Sequence, residues 1–129
     1  MKFKYLSILL AVLFVCGINF AQTYEKTDSG VKSIINSIEV EIQFYTSSIV
    51  RVLKSQEGTD IKKNSLSVNK APQKIAFTIR ETGDILYLKS ESLQVSLNLK
   101  SGKISYSTPK GEPLLSEKEE GTSFTDFND

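Results

Sequence analysis

The chain has 129 residues, with 16 Lys or Arg against 15 Asp or Glu, a formal net charge of +1, one cysteine, no histidine and no tryptophan. Near-neutral charge without a basic block gives no support to nucleic-acid binding, which phosphate neutralisation largely drives, or to attraction by anionic membranes. Without histidine there is no Ser-His-Asp triad, no histidine-ligated zinc and no ordinary neutral-pH base.

Met1-Lys2-Phe3-Lys4 is a basic start, and Tyr5 to Val15 is an almost unbroken apolar run. This order matches the n-region and h-region of a secretory signal peptide. The run is shorter than the ~20 residues of a membrane span, so a retained signal anchor is the weaker reading. Cleavage is predicted after Ala21, giving a signal peptide over 1–21 and one mature domain over 22–129, exported to the periplasm or the extracellular space. A lipoprotein signal ending at Cys16 is less well supported, because Val15 stands where a small residue belongs. Loss of 1–21 removes Cys16 and with it any disulfide or cysteine metal site. It also removes Lys2 and Lys4, turning the net charge of +1 into −1.

Gln22 to Lys32 reads as a polar, extended lead-in. A strand is predicted over 34–44, where Ile38, Val40, Ile42 and Phe44 alternate with Glu39, Glu41 and Gln43, the period of two of a half-buried strand. Thr46-Ser47-Ser48 breaks it, and Ile49 to Ser55 forms the next strand. A polar connector over 56–69 ends at Ala71-Pro72, where proline disfavours helix and central-strand pairing. A strand is expected over Lys74–Thr82 on Ile75, Phe77 and Ile79, then a turn at Gly83-Asp84 and a strand over Ile85–Ser90. Leu93, Val95, Leu97 and Leu99 alternate before a tight hairpin, Lys100-Ser101-Gly102-Lys103, in which Gly102 supplies positive φ. Ile104 to Ser107 returns, Pro109 to Glu112 turns, and Leu114-Leu115 forms a brief strand. Short strands between Gly, Pro, Asn and Ser turns predict an all-β antiparallel sandwich. No following element closes the sheet, so the sandwich is expected to be incomplete.

The candidate chemistry is sparse. Glu39 and Glu41 share a strand face, which bears on glycosidases because retaining ones set two carboxyls about 5–5.5 Å apart. Their alternation with Ile38, Val40 and Ile42 is better explained as a solvated face. Ser101-Gly102-Lys103 superficially looks like a phosphate loop, but Leu97 and Ile104 stand where a P-loop requires Gly and Ser or Thr. Asp126, Asn128 and Asp129 lack calcium-loop spacing. Tyr45, Tyr87, Tyr106, Phe124 and Phe127 are weak candidates for sugar stacking, since strand tyrosines usually sit at core edges. The run 117–120 reads as a solvated loop. No catalytic, cofactor-binding or metal-binding residue is assigned.

The order Val40-Glu41-Ile42-Gln43-Phe44-Tyr45-Thr46-Ser47-Ser48-Ile49-Val50-Arg51-Val52-Leu53 resembles the opening strands of the N-terminal β-sandwich of family 31 glycoside hydrolases, the α-glucosidase and α-xylosidase group. Leu93 to Tyr106 is similar to a recurring hairpin of these domains. Pro109-Lys110-Gly111-Glu112-Pro113-Leu114-Leu115-Ser116-Glu117 resembles the segment after it. The resemblance covers most of 24–127, with the connector matching loosely. It implies a galactose-mutarotase-like sandwich that packs beside a catalytic (β/α)₈ barrel, whose two aspartates cleave α-glucosides or α-xylosides with retention. The chain contains no barrel, so no catalytic aspartate carries over, and the expectation is a non-catalytic portion of such an enzyme. The alternative is a stand-alone exported β-domain that binds carbohydrate or protein, or a cell-surface structural module.

Overall fold

The computed structural model describes residues 23–59 and 69–125. They form nine strands: β1 Tyr24–Lys26, β2 Gly30–Ile35, β3 Ile38–Phe44, β4 Val50–Gln56, β5 Thr78–Thr82, β6 Ile85–Lys89, β7 Gln94–Asn98, β8 Ile104–Ser107 and β9 Pro113–Ser116. Two antiparallel meanders result, one ordered β1-β2-β3-β4 and the other β5-β6-β7-β8-β9. The expected all-β, antiparallel sandwich is what the chain adopts. The predicted signal peptide, Cys16, residues 60–68 of the connector, and Asp126, Phe127, Asn128 and Asp129 lie outside the described residues.

The core comes from the period-two pattern. Val31, Ile35, Val40, Ile42 and Phe44 of the first sheet meet Leu86, Leu88, Val95, Leu97 and Ile104 of the second, all buried. Each side chain of this size contributes about 1.5–3 kcal/mol when fully removed from water. The expected inward set holds: Val40, Ile42, Val95 and Leu97 are buried, while Ile38 and Leu99 pack partly buried against the same cluster. Phe44 also meets Phe77, ring centroids 5.4 Å apart, and Lys26 Nζ lies 5.6 Å from the Phe77 centroid, a cation–π arrangement.

Polar ties close the two sheets at their rims. Ser90, itself buried, donates from Oγ to the Ser47 carbonyl at 2.5 Å. Away from that tie, Asn36 Nδ2 donates to the Lys100 carbonyl at 2.8 Å and Lys54 Nζ to the Gly102 carbonyl at 2.9 Å. Ser90 and the Lys54 side chain are buried, and burial without partners is costly for such groups, so their pairing helps set how the sheets meet.

Three expectations are corrected. The strand expected over 34–44 is two strands, because Asn36 and Ser37 both take left-handed backbone angles, φ 52° and 61°. That pair of positive angles is the two-residue turn whose twist suits a hairpin. The apolar residues on both sides, Ile35 and Ile38, are paired across it. The lead-in over 22–32 is largely strand: β1 pairs with β2, with Tyr24 opposite Ser33, and Ser33 Oγ donates to the Thr23 carbonyl at 2.7 Å. The strand expected over Lys74–Thr82 starts only at Thr78. Ile75 and Phe77 reach the core from irregular backbone.

Candidate functional site

The outer face of the first sheet carries the carboxylate pair. Glu39 and Glu41 project from β3 on the side away from Val40 and Ile42, into a shallow groove with Lys32, Leu53, Ser55, Gly58 and Thr59. Each carboxylate has a fixed partner. Lys32 Nζ lies 2.9 Å from Glu39 Oε1, and Gln43 Nε2 donates to Glu41 Oε1 at 2.7 Å. The hydrogen bond to Glu39 raises the Lys32 ammonium above its ordinary value, against a smaller desolvation effect. Glycosidic cleavage requires carboxyls that flank the scissile bond. These two stand side by side on one strand, so the geometry is that of a solvated, ion-paired sheet face.

The Lys100–Lys103 hairpin is a closed turn. Asn98 Oδ1 accepts from the Lys100 and Ser101 amides at 2.8 and 2.9 Å, and the Gly102 amide donates to the Asn98 carbonyl at 2.8 Å. Gly102 takes φ 73°, as expected. The amides that a phosphate would need are therefore used within the loop.

Beside that hairpin lies a charge cluster that sequence reasoning missed. Lys54, on the inner side of β4, has a side chain only 9% exposed, and its Nζ lies 2.6 Å from Glu117 Oε2. The same Glu117 oxygen accepts from the Ile104 amide at 2.8 Å, and the Glu117 amide donates to the Ile104 carbonyl at 2.9 Å. Glu117 is thus a rim tie and not part of a solvated loop, while Glu119 next to it pairs with Lys103. The signal that could have found it is a lone lysine at an inward strand position, between Val52 and the end of β4.

The aromatic candidates stay apart. The Tyr45 hydroxyl accepts from Arg51 Nη1 at 3.3 Å, and Phe124 lies in a groove with Asn36, Ile38 and Gln56. Tyr106 packs against the core; burial pushes its hydroxyl above the ordinary value, with Glu117 adding to the effect. Tyr87 sits on the outer face of the second sheet, in a groove with Thr78, Arg80, Thr82, Lys89 and Gln94. Register places Arg80, Tyr87, Ser96, Ser105 and Ser116 directly opposite one another across all five strands. Among the described residues, no three His, Cys, Asp or Glu side chains are grouped to hold a metal ion.

The described geometry is a two-sheet scaffold with polar outer faces. The family described as the glycosyl hydrolase 31 N-terminal galactose mutarotase-like domain matches residues 39–128. Among solved structures, the chain is similar to a GH31 alpha-xylosidase from Xanthomonas citri, with a TM-score of 0.70 and 28% identity over 78% of this chain. The chain spans 11% of the length of that enzyme. No curated protein matches the sequence.

Proposed function

Since the chain belongs to the glycosyl hydrolase 31 N-terminal galactose mutarotase-like domain family, we propose that it serves as the non-catalytic N-terminal β-sandwich portion of an exported α-glycosidase. The observation that carries this reading is the match to an alpha-xylosidase over only 11% of that enzyme's length. In this reading, hydrolysis of α-glucosides or α-xylosides with retention belongs to a (β/α)₈ barrel, which supplies the two carboxyl groups the reaction needs. The sandwich would pack beside that barrel, and residues 1–21 would direct export and be cleaved after Ala21.

A second reading has its own support. The two sheets share a buried core and are tied at their rims by Ser90, Asn36 and Lys54, which favours a β-domain that folds alone and binds carbohydrate or protein.

Assay of the purified chain on aryl α-glucoside and aryl α-xyloside tests the proposal, with Glu39→Gln and Glu41→Gln variants as controls. The expected result is no turnover by any of the three. Turnover that disappears in either variant overturns the non-catalytic assignment. The coding sequence downstream is expected to encode a barrel, in the same or a shifted frame. A cooperative unfolding transition together with specific sugar binding by the isolated chain would favour the second reading.

A further inference from the structure

We infer that the outer face of the second sheet, over β5, β6 and β7, is a binding surface for an acidic saccharide, one whose sugar rings carry carboxylates. This rests on the carbohydrate-binding reading above and gives it a site and a ligand class. Register sets two rows across these strands, Arg80, Tyr87 and Ser96 in one, Thr78, Lys89 and Gln94 in the other. Lys89 is the diagonal neighbour of Arg80, so their backbones stand about 7–8 Å apart. All of these except Ser96, together with Thr82, line a trough of about 500 Å³, within the ~300–1,000 Å³ of small-molecule sites. No acidic side chain lines it, and among the described residues no carboxylate is ion-paired with Arg80 or Lys89. The acids nearest in sequence stand outside the rows: Glu81 is opposite buried Leu86, on the other face, and Glu91 is in the turn between β6 and β7. The outer face of the first sheet differs, since Glu39 neutralises Lys32 there, with Glu41 in the same groove.

A charge on the edge strand β5 protects against strand pairing, but β6 lies inside the sheet, where Lys89 has no such role. Two cations without partners on one face favour an anion, and the Arg80 fork matches a carboxylate in particular. The rest of the trough suits sugar. Thr78, Thr82 and Gln94 carry hydroxyl and amide groups that both donate and accept, as sugar hydroxyls do. Tyr87, half-buried between Arg80 and Ser96, supplies a ring face and a hydroxyl. A nucleic acid would need more cations than these two, and a protein partner would need a wider apolar centre than the Tyr87 ring. Exposed charges give modest affinity, so a trisaccharide should bind with a dissociation constant on the order of 0.1–1 mM.

Titration of the purified full chain with trigalacturonate, followed by calorimetry and by amide shifts in NMR spectra, tests the inference. Maltotriose is the neutral counterpart, and a short polyglutamate is an anion without sugar rings. The expected result is saturable binding of trigalacturonate on the order of 0.1–1 mM, with shifts centred on Thr78, Arg80, Tyr87, Lys89 and Gln94. The other two probes should bind at least about tenfold more weakly. Arg80→Gln and Lys89→Gln should each weaken binding about fivefold, and the double variant more than about tenfold. Tyr87→Ala should weaken it as well, since the ring face is lost. Lys32→Gln, on the outer face of the first sheet, is the control and should leave binding unchanged. Circular dichroism of each variant confirms that it is folded. Absence of trigalacturonate binding overturns the inference, as do shifts centred elsewhere, a double variant that binds as before, or equal loss in Lys32→Gln. Equally tight binding of polyglutamate also overturns it, and would make the face a docking site for an acidic peptide. Maltotriose binding that survives the Arg80 and Lys89 changes overturns this inference and leaves the carbohydrate-binding reading standing, whereas binding of neither saccharide removes both.

Discussion

Lys54 and Glu117 show how much depends on single side chains in a sheet this small. With only 9% of the Lys54 side chain exposed, its charge is tolerable because one carboxylate and the Gly102 carbonyl receive it. Glu117→Ala strands that charge and leaves the Ile104 amide without its acceptor. Lys54→Met fills the same space with an apolar chain, and Glu117, about a third exposed, can hydrate. Breaking a buried pair from one side is generally worse than replacing the charge by an apolar group. Glu117→Ala should therefore cost about 2–3 kcal/mol in denaturant unfolding, and Lys54→Met about 1 kcal/mol or less. Tyr106 gives a pH effect whose sign follows from its burial. Its folded-state hydroxyl titrates above the ordinary value, so the folded state holds a proton that the unfolded chain has released. This contribution is complete below about pH 10 and is lost as pH rises from there through the folded value. Absorbance titration should show one tyrosine ionising late, and Tyr106→Phe should remove that step and reduce the alkaline loss of stability.

Among the elements, the β2–β3 hairpin is the most demanding. Ser37 holds φ 61°, a left-handed angle that costs a residue with a Cβ about 1–2 kcal/mol relative to glycine. Ser37→Gly should stabilise the protein by up to about 1 kcal/mol, once the extra freedom of glycine in the unfolded chain is subtracted. Thermal unfolding of the variant checks this, and a lowered midpoint would contradict it. At the start of β2, Gly30 is required by contact. A Cβ built there runs into the Ile42 carbonyl, which is rigid backbone of β3. Gly30→Ala should cost more than about 3 kcal/mol, far beyond an ordinary surface substitution. The hairpin turn was hard to read because Ile34, Ile35 and Ile38 flank it and no glycine or proline marks it. The turns at Gly83 and Gly102 were legible because glycine stands at each positive φ.

For the molecule as a whole, stability rests on one layer of side chains between two sheets. Leu97 is fully buried in that layer, and Leu97→Ala should cost about 2–5 kcal/mol, from lost transfer energy and the cavity left behind. Domains have net stabilities of about 5–15 kcal/mol, so this substitution should bring the unfolding midpoint close to room temperature or abolish cooperative folding. Far-UV circular dichroism against denaturant reads either outcome.

What the sequence determined by itself was which side chains turn inward. Val40, Ile42, Val95 and Leu97 were legible because a strand's period of two is a local property, written in neighbouring residues. The outward place of Glu39 and Glu41 followed from the same alternation, and so did the reading of their carboxylates as a solvated face. The family was legible from the order of the blocks at 40–53, 93–106 and 109–117. Tertiary structure alone decided how the strands divide into two sheets, with the break between β4 and β5. It also decided that Lys54 meets Glu117 across 63 positions of chain, and that Arg80, Tyr87, Ser96, Ser105 and Ser116 form one row. These facts depend on register and on how one sheet closes over the other. A residue's neighbours along the chain carry no record of either, because both are set by the summed packing of residues distant in sequence.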